Sequence, residues 1–203
     1  MKRVLLILVA VVFVIVGYWY FMKGISTPKG NEKQPALTAR KHSASFNQGI
    51  DSLLQAYFAA KEAFVNNDST EAKNASARLA VLADSSRFAE LKDDSQGIYE
   101  SALAQLGDVK ANAQSLVRQT DLTEMKQDFR MISESMYPLL KTIHYDGNTV
   151  YWQNCPMAFG EDKAANWISS TREIVNPYLG KHHPEYKASM LHCGELKDSI
   201  RAQ

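Results

Sequence analysis

Along this chain the spacing of apolar residues changes character three times, and each change predicts a different kind of element. Val4 to Met22 carries no charge, and as a helix rising 1.5 Å per residue it reaches ~28 Å, about one bilayer core. From Lys23 to about Ser45 large apolar residues nearly vanish, and Pro28-Lys29-Gly30 and Gln34-Pro35 break any regular structure, which predicts a linker. Apolar residues then recur three and four apart. Ile50, Leu53, Leu54, Tyr57, Phe58 and Phe64 stripe a helix over 46–65; Ala72, Ala75, Leu79 and Leu82 stripe a second, opened by an Asp68 N-cap. Phe88 and Leu91 stand in the polar connection that follows, as docking residues. Tyr99, Ala102, Leu103, Leu106, Val109, Ala113 and Leu116 mark a third helix. Leu122, Met125, Phe129, Ile132, Met136, Leu139 and Ile143 mark a fourth, which starts at the capping sequence Thr120-Asp121-Leu122-Thr123-Glu124. Pro138 inside it predicts a kink or break near Tyr137, because proline lacks the amide and clashes with the preceding turn.

Past the Asp146-Gly147 turn signal the helical spacing is lost. Thr149-Val150-Tyr151-Trp152-Gln153 reads as a short strand, and the rest is turn-rich with one short helix near Asp162 to Ile174. The sum is a mainly α fold: a transmembrane helix over 1–22, a flexible linker over 23–45, an antiparallel four-helix bundle over 46–145, and over 146–203 a small irregular cap with a short strand or hairpin, packed on the bundle.

The ends of the apolar run decide its role. It finishes in Gly17-Tyr18-Trp19-Tyr20-Phe21-Met22, bulky aromatics that suit a membrane interface and not the small residues of a cleavage site, so it reads as an uncleaved anchor. No cysteine follows to take a lipid. Lys2 and Arg3 favour a cytoplasmic amino terminus, although Lys23, Lys29, Lys33, Arg40 and Lys41 weaken the asymmetry. The expectation is a single-pass inner-membrane protein with its folded part in the periplasm, an oxidising compartment.

Charge narrows the partners. Lys and Arg number 23 against 22 Asp and Glu, so no broad basic surface invites nucleic acid. No Glu-x-x-His pair indicates a di-iron centre, and no Cys-x-x-Cys-His indicates covalent haem. Met125, Met131 and Met136 read as core filler.

The chemistry gathers around the two cysteines. Cys155-Pro156-Met157 and Met190-Leu191-His192-Cys193 offer thiols, thioethers and an imidazole, a soft set that suits Cu(I) if the segments lie side by side. Residues two apart on an extended strand share a face, which would pair Cys155 with Met157 and Met190 with His192. His144 is a further possible ligand, and His182-His183 a weaker pair. The competing reading is a Cys155–Cys193 disulfide, worth ~3–4 kcal/mol through loop closure. His192 beside Cys193 does not make a catalytic dyad, and Glu161-Asp162 read as a solvated loop, so no enzyme is expected.

The C-terminal half also resembles a known family. Val150-Tyr151, Cys155-Pro156-Met157-Ala158, Trp167-Ile168-Ser169-Ser170, Ile174, Asn176-Pro177-Tyr178-Leu179-Gly180 and Met190 through Cys193-Gly194-Glu195-Leu196-Lys197 carry the resemblance, with Phe129 and Ile132-Ser133 fitting more loosely. They are similar to an uncharacterised bacterial domain of unknown function, over roughly 46–197. That domain occurs in stand-alone exported proteins and as a C-terminal extension of CusB-type adaptor subunits of copper/silver efflux pumps. The resemblance implies Cys155, Met157, Met190 and Cys193 as functional or framework positions, and copper and metal-efflux components as associations. His192 lies inside the second motif without being one of its fixed positions. Leu179 stands where an aromatic is common, and 181–188 is an extra stretch. The function expected is a membrane-anchored periplasmic protein that binds a soft metal in metal handling or efflux; the alternative is a structural or protein-interaction module of the envelope with the disulfide and no metal.

Overall fold

The computed structural model describes residues 42–93 and 97–201, together with 15, 16, 18 and 19. Those four are helical and exposed. The anchor over 1–22 and most of the linker over 23–45 otherwise lie outside the described residues; among the described residues no helix is long and apolar enough to cross a membrane. Arg40–Gln203 forms one compact unit.

That unit is helix-rich with a small sheet. Helix α1 spans Ala44–Val65, two residues earlier than its apolar stripe, because the Ser43 hydroxyl accepts from the Phe46 amide and caps it. Helix α2, Ser69–Leu82, starts where the Asp68 carboxylate accepts from the Glu71 amide. A 3-10 segment, Ser85–Asp93, follows and buries Phe88 and Leu91 as the spacing predicts. Helix α3 is Ile98–Arg118, and α4 is Leu122–Thr142, whose Asp121 cap accepts from the amides of Thr123 and Glu124.

Each helix packs on the next. Helices α1 and α4 meet through rings: Phe129 stacks on Tyr57 at 5.0 Å and packs on Phe64 at 5.0 Å. Beside them Tyr57 Oη and Ser133 Oγ are 2.7 Å apart, so these two buried hydroxyls satisfy each other. His42 ties the near end together, with Nδ1 3.0 Å from Glu90 and Nε2 2.5 Å from the Ile143 carbonyl.

Pro138 does not end α4, which continues four residues to Thr142. Interior proline costs ~3 kcal/mol, but Met136, Tyr137, Leu139 and Leu140 around it are all buried, and the Tyr137 ring stacks on Trp152 at 4.5 Å. Packing outweighs the local preference. Met131, expected as core filler, is 41% exposed on the outer side of the same helix, whereas Met125 and Met136 are buried.

The cap is more regular than its turn-rich sequence suggests. Strands β1 (Val150–Cys155), β2 (Ala165–Ser169) and β3 (Glu195–Ile200) form an antiparallel sheet in the order β2-β1-β3. The short helix expected near Asp162 to Ile174 is absent, and β2 occupies its place. Asp162 adopts φ +58°, unlike the extended backbone of a helix N-cap, so the apparent start signal is a turn. Burial then favours a strand: Ala165, Trp167 and Ile168 are all buried, and the Ile168 amide donates to Tyr57 Oη at 3.0 Å. The side chain of α1 thereby positions the edge of the sheet.

Candidate functional site

The register of β1 against β3 brings the two cysteines together. Asn154 lies opposite Glu195, so Cys155, the last residue of β1, runs into the segment that leads into β3, where Cys193 stands. Their sulfurs are 2.8 Å apart. Cys155 is fully buried and Cys193 partly so, and both are free thiols.

Three features hold the second segment on the first. Gly194 adopts φ +147°, and a Cβ there would come within 2.7 Å of the Asn154 carbonyl oxygen and 2.9 Å of the Trp167 ring. Only glycine lets the chain pass this close to β1. Asn176, wholly buried, donates from Nδ2 to the Cys193 carbonyl at 2.8 Å, while its Oδ1 accepts from the amides of Tyr178 and Leu179 at 2.8 and 3.0 Å. Its own amide donates to the Leu191 carbonyl at 2.8 Å. Finally the Cys193 amide donates to Met190 O at 2.9 Å, closing the turn before β3. The Asn-Pro-Tyr stretch thus acts as a buried polar clip for the cysteine loop.

Burial, and after it the hydrogen bond and charge of Cys155, push the Cys193 thiol up to about 12. At neutral pH Cys193 is a thiol, not a nucleophilic thiolate.

The other candidates stand in turns and loops. Pro156 and Met157 lie in a turn beyond β1, and Met190 to His192 in another, so the extended backbone needed to put each pair on one face is missing from both. Met157 instead lines a groove with Lys126, Phe159, Tyr178 and His183. Met190 packs partly buried against the core. His192 is exposed; its Nδ1 is 2.7 Å from the Ile174 carbonyl, which calls for the hydrogen on Nδ1 and leaves the lone pair on Nε2. His144 precedes β1, whose six residues extend ~17–20 Å, and Cys155 ends it. His183 belongs to the groove, and His182 is exposed.

Among the described residues no three His, Cys, Asp or Glu side chains gather as a metal site. The sulfur pair is also too close to clasp an ion. Metal–sulfur bonds of ~2.3 Å at a tetrahedral angle hold two sulfurs about 3.8 Å apart, so the pair as placed does not fit a metal. It lies nearer the ~2.05 Å of a disulfide.

Lys126 escaped the sequence reading, although a signal for it exists. It lies four residues after Leu122 and three before Phe129, on the apolar face of α4, where lysine is out of place. It is 8% exposed and donates to the Tyr178 carbonyl at 2.8 Å. Lys61 shows the same signal on α1: buried, it reaches Ser169 Oγ of β2 at 3.4 Å.

No curated protein and no solved structure matches the chain. A family model does, over residues 53–147, which takes in most of the helices and stops before β1 and both cysteines. Over that helical stretch the chain is similar to a family described as protein of unknown function (DUF3347).

Proposed function

We propose that this is a membrane-tethered envelope protein whose folded unit stands in the periplasm as a structural or protein-interaction module, with its cap closed by a Cys155–Cys193 disulfide. On this reading the four helices are an antiparallel bundle that carries the cap. The observation behind it is the 2.8 Å separation of the sulfurs, with Gly194 and Asn176 keeping the loop in place. Closure removes one proton and one electron from each thiol. A disulfide oxidant of the compartment accepts both electrons by exchange and leaves as two thiols.

A second reading keeps the soft metal. Two free thiols already meet between thioether-bearing segments, and in the reduced protein a parting of the sulfurs by about 1 Å would admit Cu(I) with Met157 or Met190 as a further ligand.

Two measurements separate them. Intact mass of protein alkylated during lysis should show an unmodified, oxidised pair. Two alkyl groups on the native protein would remove the disulfide reading. Titration of the reduced full-length chain with Cu(I) against a colorimetric chelator then decides the second. Stoichiometric binding lost in Cys155→Ser supports it, and copper uptake indifferent to either cysteine eliminates it.

A further inference from the structure

A groove of about 500 Å³ opens where the first turns of α4 meet the turn after β1 and the loop after Tyr178. Its volume falls in the range of small-molecule sites, about 300–1,000 Å³. Phe159, Tyr178 and Tyr186 supply aromatic walls, and Lys126, Lys163 and His183 supply polar groups of one kind.

Lys126 is the unusual member. An ammonium has three N–H groups. One goes to the Tyr178 carbonyl at 2.8 Å and one to Asn67 Oδ1 at 3.4 Å, and both of these partners also line the groove. The third has no acceptor among the described residues, and no carboxylate there forms an ion pair with this lysine. A buried cation without a counter-charge is costly, and an anion in the groove would remove that cost. His183 adds a donor: its Nδ1 accepts from the amides of Glu185 and Tyr186 at 3.3 and 3.2 Å, so the ring hydrogen sits on Nε2. Lys163 is exposed at the rim, with Glu185 the one acid in the lining.

We infer that this groove binds a small organic carboxylate with an aromatic or apolar body, its carboxylate on the free N–H of Lys126 and its body against the aromatic walls. A carboxylate fits better than a phosphate because no arginine lines the groove to offer a bidentate fork. Neither cysteine lines the groove.

The test uses 4-fluorophenylacetate and its neutral amide as probes, titrated into the full-length chain in detergent and followed by fluorine NMR. The acid should bind about tenfold or more tighter than the amide, the worth of one charge-assisted hydrogen bond. Lys126→Met should erase that preference, while Tyr186→Ala should weaken acid and amide alike. Equal affinity of acid and amide for the wild-type chain overturns the inference. So does absence of acid binding, or a preference that survives in Lys126→Met. The wild-type comparison stands even if that variant does not fold.

Discussion

The helices and the cap are held by different physics. From Ala44 to Thr142 the interior is mostly hydrocarbon and ring, placed by apolar residues three and four apart, with Phe129 at its centre touching Tyr57, Phe64 and Tyr178. From Val150 to Ile200 the strands are short, and the loops between them hang on a few buried polar groups. Gln153 donates from Nε2 to the carbonyls of Thr171 and Glu173, both at 3.0 Å, and Asn176 holds the cysteine loop. Burial of area tolerates small changes and accumulates over many contacts. A polar clip does not, since removing one partner leaves several groups dry and unpaired.

The largest effect should come from emptying the helical centre. Phe129→Ala deletes a wholly buried ring and should cost about 3–5 kcal/mol. Denaturant unfolding followed by far-ultraviolet circular dichroism for the helices, and by the fluorescence of Trp152 and Trp167 for the cap, checks it. Because Phe129 also meets Tyr178 of the cap at 6.1 Å, both signals should shift together. Separate transitions would break the picture of one cooperative unit.

Asn176→Ala tests the cap by its own rule. It orphans the Cys193 carbonyl and the amides of Tyr178 and Leu179, for a loss of about 2–4 kcal/mol from a change of very little volume. Its alkylation signature sharpens the contrast: reduced Asn176→Ala should label faster at Cys193 than reduced Phe129→Ala of matched stability. Equal labelling rates would mean the clip does nothing particular for the thiol pair.

This difference also governs what the sequence makes legible. The helix caps at Asp68 and Asp121 and the stripe through Phe129 follow from local spacing, so the four helices are readable within a residue or two. The break that Pro138 could have made does not occur, because its local penalty is set against burial that no local rule reports. In the cap, β2 hides behind a turn whose acidic residues imitate a helix start, and β3 is largely polar, with only partly buried residues to mark it. That Cys155 and Cys193 belong together is readable as chemistry, yet their geometry depends on a strand register that pairs positions 41 and 43 residues apart in sequence, Asn154 against Glu195 and Gln153 against Leu196. Met157 and Met190 illustrate the limit: the two-residue spacing that would align each with its neighbour on a strand falls in turns, after β1 for Met157 and before β3 for Met190.

Gly194→Ala is a smaller insult of a third kind. Its added methyl meets the Asn154 carbonyl and the Trp167 ring, so the loop must move off β1, at a cost of about 1–3 kcal/mol. The sulfurs should separate with it. Oxidation by a disulfide reagent should slow relative to wild type, whereas Gly107→Ala on α3, where a Cβ meets nothing within 4 Å, should leave the oxidation rate unchanged.

The smallest expected effect sets the two regions against each other by sign. In α4, burial lowers the Lys126 ammonium from 10.5 to about 8. Between these values the unfolded chain holds the proton and the folded chain does not, so stability rises with pH from about 8 toward 10.5. In the cap, the Cys193 thiol is raised from 9.0 to about 12. There the folded chain holds the proton, and the stability it contributes is present below pH 9 and lost as pH climbs toward 12. A single proton changes stability by at most about 1.4 kcal/mol per pH unit, so each slope is shallow. Oxidised protein has no thiol to titrate, and its stability between pH 8 and 9.5 should climb. Reduced protein should climb less and flatten above pH 9, and Lys126→Met in the oxidised form should climb less than wild type, keeping the part that comes from Lys61, whose ammonium burial also lowers. The window lies below the ordinary tyrosine range, which keeps the buried Tyr57 and Tyr178 out of the measurement. Denaturant midpoints at four pH values in both redox states suffice, and coincident oxidised and reduced curves above pH 9 would place the Cys193 thiol in a far wetter setting than the one between Asn176 and β1.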